Sequence, residues 1–378
     1  MRQIILPIVL GSAVIASAAE FELHGSLNMD YATYFDEDFD PTNAANQDID
    51  LSATARLDEN VSATVRFNTH STYLDKEGVE QASEVRHGLA RSTAMGGEDG
   101  RFNSVDFDGA EIRWTVSSGV DLIFGDLSYS AGAFNYYFWR DPARYAVIMR
   151  EESLRGIGGE FGNEKFGQGK VYVGASDNAK GTVAAYASYA LPLLNHVDEH
   201  LIVTPSVDWM FGQHIGRHNT YSVGLEVDYS KSDGSLNYGA YAVWGMHPYK
   251  GSNTHSFLIE PSFNISFFNL GLSYFYAIVD DEYDVEEQLF TDDQMLFAVE
   301  PSFDLNKKLS LGVTYEFHDH NVDEDDEYSF LGLNFYAYPT LRTEVVVWCG
   351  YNFREEIRKG EKESVKEAAF GVSGRADF

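Results

Sequence analysis

Apolar and polar residues alternate strictly at the carboxyl end of this chain. Counting back from Phe378 to Phe370 in steps of two gives only apolar or small side chains, and the positions between them carry Asp377, Arg375 and Ser373. Successive side chains of a β-strand point to opposite faces, so one face is predicted to meet hydrocarbon and the other water. Such a strand needs a partner along its edge, and closure of a barrel supplies one.

The same alternation recurs along the whole chain and predicts eighteen strands. They lie near residues 21–35, 49–57, 61–73, 107–116, 120–129, 152–161, 169–176, 182–191, 201–211, 219–230, 236–247, 256–267, 270–279, 295–305, 309–319, 327–337, 341–353 and 366–378. Between residues 162 and 220 the register is insecure, so a barrel of sixteen strands remains open. We therefore predict an all-β fold, a transmembrane antiparallel β-barrel of 16–18 strands.

The lengths of the connections alternate with the strand number. Turns after the second, fourth, twelfth, fourteenth and sixteenth predicted strands are short. Connections after odd strands are mostly longer and acidic, and include residues 36–48, 74–106, 130–151, 280–294, 320–326 and 354–365. A β-sandwich would not sort its connections in this way, whereas outer-membrane barrels have short periplasmic turns and long external loops.

The amino-terminal segment has the features of a secretory signal peptide. Arg2 is followed by an apolar stretch from Ile4 to Ile15 and by small residues at a cleavage site near Ala18 or Ala19. The stretch is too short to span a membrane as a helix. We expect residues 1–19 to be removed on export, leaving residues 20–378 as a single barrel domain.

Composition narrows the set of partners. The formal net charge is −32, which disfavours nucleic acids and free anions and favours cations. Aromatic residues make up 14% of the chain, as in the aromatic girdles of membrane barrels. Cys349 is the only cysteine, so no disulfide can form within the chain.

The motifs above resemble those of Gram-negative outer-membrane porins. The alternating terminal segment, with Phe370 and Phe378, is similar to the assembly signal of outer-membrane barrels. The resemblance implies an outer-membrane location, contact with membrane lipid and lipopolysaccharide, and recognition by the barrel-assembly machinery. It also admits a homotrimer, although the sequence leaves the oligomeric state open.

The third external loop, residues 130–151, is rich in aromatic residues and arginine. Residues 130–145 contain six aromatic side chains and two arginines, an unusual composition for a segment surrounded by water. In porins the third loop folds into the barrel and narrows the pore. The resemblance therefore implies a constriction formed by Tyr136, Tyr137, Trp139, Arg140, Asp141 and Arg144. The two arginines depart from the family, whose constriction loops are typically acidic, and an external contact patch is the alternative.

Alternation also places charged side chains on two walls of the lumen. Basic side chains on inward positions of strands two to four are Arg56, Arg66 and Arg113, where porins often carry a basic ladder. Acidic side chains on the far wall are Asp208, Glu226, Glu260, Glu300 and Glu316. Opposed charges across a narrow lumen would produce a transverse field, which orients polar solutes and sets ion preference. The alternative is that these side chains pair with one another and keep the interior hydrated.

No enzyme is predicted. The G-x-S-x-G, P-loop and H-E-x-x-H motifs are absent, and neither a catalytic residue nor a cofactor is expected. The run from His318 to His320 and the acidic residues after it are interpreted as a solvated loop, with weak Ca²⁺ binding as the alternative. The function that follows is passive diffusion of ions and small hydrophilic solutes with mild cation selectivity. The alternatives are a carbohydrate-selective porin similar to maltoporin, an outer-membrane adhesin or an enzyme.

Overall fold

The computed structural model describes eighteen β-strands. The described residues are 20–35, 38–74, 102–130, 151–176, 182–212, 220–249, 252–278, 293–319, 327–358 and 361–378. The strands are β1 (Glu20–Phe35), β2 (Pro41–Asp58), β3 (Val61–Leu74), β4 (Phe102–Ser117), β5 (Val120–Ser130), β6 (Glu151–Asn163), β7 (Gly167–Ser176), β8 (Thr182–Asn195), β9 (Glu199–Gly212), β10 (Thr220–Lys231), β11 (Leu236–Tyr249), β12 (Ser252–Ile265), β13 (Phe268–Ile278), β14 (Gln294–Asn306), β15 (Leu309–Asp319), β16 (Glu327–Thr340), β17 (Thr343–Arg358) and β18 (Glu361–Asp377). The proposed signal peptide, residues 1–19, lies outside the described residues.

The strands form one closed antiparallel sheet. Each strand pairs with its neighbours in sequence, and β1 also pairs with β18 from Ser26↔Asp377 to Phe35↔Ala368. At this junction the backbone N–H and C=O of Gly25 each bond to Phe378 at 2.9 Å. The barrel predicted from the alternation is confirmed, with eighteen strands rather than sixteen.

The parity of the connections is also confirmed at one end of the barrel. All eight turns that follow even-numbered strands, from residues 59–60 to 341–342, contain two to four residues. The turns after β6, β8 and β10, which lie in or near the region of insecure register, follow the same rule. All these turns therefore lie at one end of the barrel, and the odd-numbered strands end at the opposite one.

Two of the predicted long loops are wrong. β2 begins at Pro41 rather than near residue 49, and the 354–365 segment is mostly a hairpin in which Arg358 pairs with Glu361. These extensions lack apolar alternation. Both faces of a hairpin that extends beyond the hydrocarbon meet water, so backbone pairing can continue there without a hydrophobic face.

Side chains alternate between the two faces of the wall as predicted. On β12, Phe257 and Ile259 are 40% and 50% exposed on the outer face, while Leu258 and Glu260, which alternate with them, are 0% and 2% exposed. The inner face is less polar than the first strand indicates, since the directly paired Leu258, Phe275 and Leu296 are all buried. In the part of the chain described here, no helix is long and apolar enough to cross a membrane.

Candidate functional site

β5 separates from β4 part-way along its length, while β6 stays paired with β7 as far as Leu154↔Ser176. Pairing of β4 with β5 runs from Ser117↔Val120 only to Glu111↔Gly125, although β4 continues beside β3 and β5 continues beside β6. Gly125 has a φ of +126°, and a Cβ at this position would lie 2.1 Å from the carbonyl oxygen of Ala110. The departure therefore requires glycine, which alone adopts this backbone conformation without strain.

Beyond Gly125 the hairpin turns into the lumen. The hydroxyl of Tyr129 on β5 donates to Oδ2 of Asp208 on β9 at 2.6 Å, and the Tyr129 ring stacks on Tyr186 of β8 at 3.9 Å. Asp208 lies between the outward-facing Val207 and Trp209. Three strands separate β5 from β9 in the sheet, so this contact can be made only through the interior.

An apolar cluster holds the hairpin against the inner wall. Its buried members come from five consecutive strands and are Ile123, Leu127, Tyr129, Leu154, Tyr172, Ala184, Tyr186 and Met210. Each large aliphatic side chain that is fully buried contributes roughly 1.5–3 kcal/mol. The base of the hairpin is therefore a packed structure rather than a loose extension of the wall.

An ion pair between Asp126 and Arg155 lies at the point where β5 separates from β4. The carboxylate of Asp126 accepts the backbone N–H of Ala110 at 2.8 Å and Nε of Arg155 at 2.7 Å. Asp126 thus replaces the carbonyl acceptor that a continuing ladder would supply. Arg155 stands directly opposite Ala175, which pairs with the outward-facing Val183. Alternation alone assigns both charged residues to the lipid-facing side, which is why the sequence analysis missed them.

Two predicted wall arginines are bound to carboxylates one or two strands away in the sheet. Arg66 contacts Glu111 at 2.6 Å, and Arg113 contacts Asp121 at 3.0 Å and Glu160 at 2.6 Å. These side chains are 14–32% exposed, so the pairs are partly shielded from water. Glu111, Asp121 and Glu160 all occupy inward positions of their strands. This alternation could have identified them from the sequence.

Carboxylates on β4 to β6 match the cations of this part of the predicted basic wall. Glu160 stands opposite Lys170, so four cationic side chains are matched by four carboxylates once the Asp126–Arg155 pair is included. Arg56 pairs with Glu20 at 2.6 Å, but both side chains are more than half exposed. Exposed pairs of this kind contribute little to stability.

The five predicted acidic wall residues differ in their access to the lumen. Asp208, Glu260 and Glu316 are only 2–5% exposed, whereas Glu226 and Glu300 are half-buried. Ser273 donates to Glu260 at 3.1 Å, and Tyr336 donates to Glu300. Glu226 and Glu300 are therefore better placed than the other three to act on ions in open water.

The predicted constriction residues, from Tyr136 to Arg144, lie outside the described residues. Among the residues that are described, no group of three or more His, Cys, Asp or Glu side chains is arranged to hold a metal. His320 and the acidic residues from Asp323 to Asp326 also lie outside the described part of the chain, whereas Glu327 begins β16 opposite Asp319.

Comparison with known proteins identifies the architecture. No known protein family and no curated protein matches the sequence. Solved structures do match. OccAB4 of Acinetobacter baumannii aligns over 96% of this chain and 99% of its own, with a TM-score of 0.56 and 10% identity. OccK9 (OpdG) of Pseudomonas aeruginosa covers 96% and 100% of the two chains, with a TM-score of 0.57 and 11% identity. The fold is that of an outer-membrane porin.

The outer membrane protein OpdK of Pseudomonas aeruginosa also shares this porin fold, with a TM-score of 0.54, 11% identity, and coverage of 94% of this chain and 99% of its own. OpdK has also been solved with vanillate. In the present porin fold, the hairpin that enters the lumen leads into the third connection on the side opposite the short turns. The inward turn therefore begins at the base of the loop that the sequence analysis singled out.

Proposed function

We propose that this chain is an outer-membrane porin, a water-filled channel for passive diffusion of ions and small hydrophilic solutes, and not an enzyme. The observation that carries the proposal is the closed eighteen-stranded barrel with ionised side chains on its inner face. Barrels of sixteen to eighteen strands leave an aqueous channel, whereas eight strands are filled by side chains.

Recording the purified protein in a planar lipid bilayer tests the channel directly. We expect stable unitary current steps whose amplitude increases with salt concentration. Heat-denatured protein at the same concentration is the control, because its barrel is unfolded. A correctly folded barrel that inserts but carries no ionic current would refute the proposal.

We further propose that the channel mildly prefers cations. The net charge of the chain is −32, while the arginines of the predicted basic wall are balanced by carboxylates. With the basic wall neutralised, the unbalanced carboxylates of the lumen and loops determine the sign of the field. Vanillate is an aromatic carboxylate, and this charge distribution does not favour transferring that ligand from OpdK to this chain.

The 130–151 loop is proposed to narrow the pore, with Arg140 or Arg144 at the narrowest point. Tyr129, at the base of this loop, points into the lumen, where its hydroxyl donates to Asp208 on β9. About twenty residues can reach across the lumen and back at ~3.3 Å per extended residue. Replacing the loop with a tight turn should raise unitary conductance, and unchanged conductance in a folded variant would place the loop outside the pore.

Export and assembly complete the proposal. Residues 1–19 are proposed to direct secretion, with cleavage near Ala18 or Ala19, and Phe370 and Phe378 to act in the signal read by the barrel-assembly machinery. Both phenylalanines are exposed on the outer face. Outer-membrane lipid and lipopolysaccharide would contact that face, and a homotrimer is one assembly compatible with it.

A further inference from the structure

On the wall opposite the arginines lies a neutral, amide-rich surface. Asn237, Asn264, Asn269 and Ser302 lie on four consecutive strands, β11 to β14, and each is directly paired with the next across the sheet. All four occupy inward positions. We call these four residues the amide row. In a ring of eighteen strands, β13 lies nine strands from β4, so the row faces the ion-paired wall across the lumen.

A second row of inward positions lies two residues further along the same four strands and contains two glycines. Gly239, Ser262, Gly271 and Glu300 are paired in the same order across β11 to β14. Because the two glycines have no side chain, the wall is recessed between the amides and Glu300. The two rows, together with Phe263 and Leu270, line a depression of about 360 Å³. Pockets that bind small molecules typically begin at about this volume.

The chemistry of the depression is that of a hydroxyl-binding site. Each asparagine amide has two donor hydrogens and an oxygen that accepts, and serine both donates and accepts. Asn264 donates to Asn269, which in turn donates to Asp304 at 3.4 Å, so the amide planes are held by a chain of hydrogen bonds. The remaining donors and acceptors match the adjacent hydroxyls of a sugar.

The charge of the depression disfavours anions as ligands. Among the described residues that line it there is no lysine or arginine, so it offers no counter-charge to an anion. Its single carboxylate, Glu300, accepts the hydroxyl of Tyr336. A neutral solute that is rich in hydroxyl groups fits this combination of donors, acceptors and low charge.

We propose that this depression is a binding subsite for a neutral sugar or polyol on its way through the channel. The inference rests on the proposed porin function and names a solute class for it. The subsite lies close to the short turns, since Asn264 and Asn269 flank the turn at residues 266–267. A solute would therefore meet it near the end of the barrel at which these turns lie.

Current blockade in a planar bilayer tests the subsite. Glucose and sucrose should interrupt the current through the wild-type channel in a concentration-dependent way. A short polyethylene glycol of matched size, which has ether oxygens in place of most hydroxyls, should do so much less. Combining Asn237→Ala with Asn264→Ala should raise the sugar dissociation constant about thirtyfold, because each lost hydrogen bond is worth about 1 kcal/mol and every 1.4 kcal/mol is a factor of about ten. Ionic conductance without sugar should stay unchanged.

Asn28→Ala is the matched control, because it removes an inward amide from β1, far from the depression. Ser302→Ala provides a milder second variant should the double variant fold poorly. Equal loss of blockade in Asn28→Ala, or equal blockade by sugar and polyethylene glycol, would overturn the subsite. Blockade by an organic cation without blockade by sugar would overturn it too, since Glu300 would then define the site. A chain with no current at all would instead refute the porin function.

Discussion

At the scale of single residues, Gly125 and Gly109 allow the barrel wall to open. Both have a φ of +126°, and a side chain on Gly109 would lie 2.7 Å from Cβ of Asp126. These two glycines lie on either side of the point where β5 leaves β4. Their positive φ is the local feature that redirects the hairpin into the lumen.

Replacing Gly125 with alanine should therefore destabilise the barrel. The new Cβ meets backbone rather than a flexible side chain, and a strained backbone conformation costs of order 1–3 kcal/mol. Urea unfolding in lipid vesicles measures the change. Gly374→Ala is the control, because nothing lies within 4 Å of a Cβ built there. Equal stability of the two variants would show that the departure of β5 does not depend on this glycine.

At the scale of elements, the β5–β6 hairpin is the part that alternation could not predict in full. Period-two patterning located all eighteen strands because apolar side chains recur on one face of each. It could not show that β5 leaves β4, since Ile123 before the departure and Tyr129 after it have the same parity. Alternation also assigned Asp126 and Arg155 to the outer face. That assignment holds only where β5 is paired with β4, and this pairing ends at Gly125.

The sequence predicted which charged side chains face the lumen, but it did not predict which of them pair with one another. Arg66 and Arg113 were identified from inward parity, but register between strands decides which carboxylates reach them. Glu160 contacts Arg113 across β5, from a strand two positions away in the sheet. Contacts of this kind depend on the curvature of the wall and on side-chain conformation, which no one-dimensional pattern contains.

Releasing the hairpin should change the current through the pore. Tyr129→Ala removes the hydrogen bond to Asp208 and the stack on Tyr186, so we expect larger and noisier unitary conductance. Tyr129→Phe keeps the stack and should give a smaller change. Tyr351→Ala, on the outer face of β17, is the control. Wild-type conductance in Tyr129→Ala would mean that the hairpin base does not set the width of the pore.

At the scale of the whole molecule, the proposed cation preference should depend on ionic strength. The Debye length falls from about 10 Å at 0.1 M salt to about 3 Å at 1 M, so charges on the wall act on fewer ions as salt increases. Reversal potentials across a salt gradient should favour potassium at low salt and approach the value for no selectivity at high salt. Asp50→Asn, on the inner face of β2, should weaken the preference, and Asp198→Asn in a turn should not. A chloride preference at low salt would contradict the expectation.

The junction of β1 with β18 has a consequence for the order of folding. Every other pairing in the barrel joins strands that are adjacent in sequence, whereas this one joins residues about 350 positions apart. Local hairpins can form early, while the entropic cost of closing so long a loop must be met before its contacts contribute. Ring closure is therefore expected to be the slow, late event of folding. Until it occurs, two unpaired strand edges are exposed at which neighbouring chains can join into aggregates.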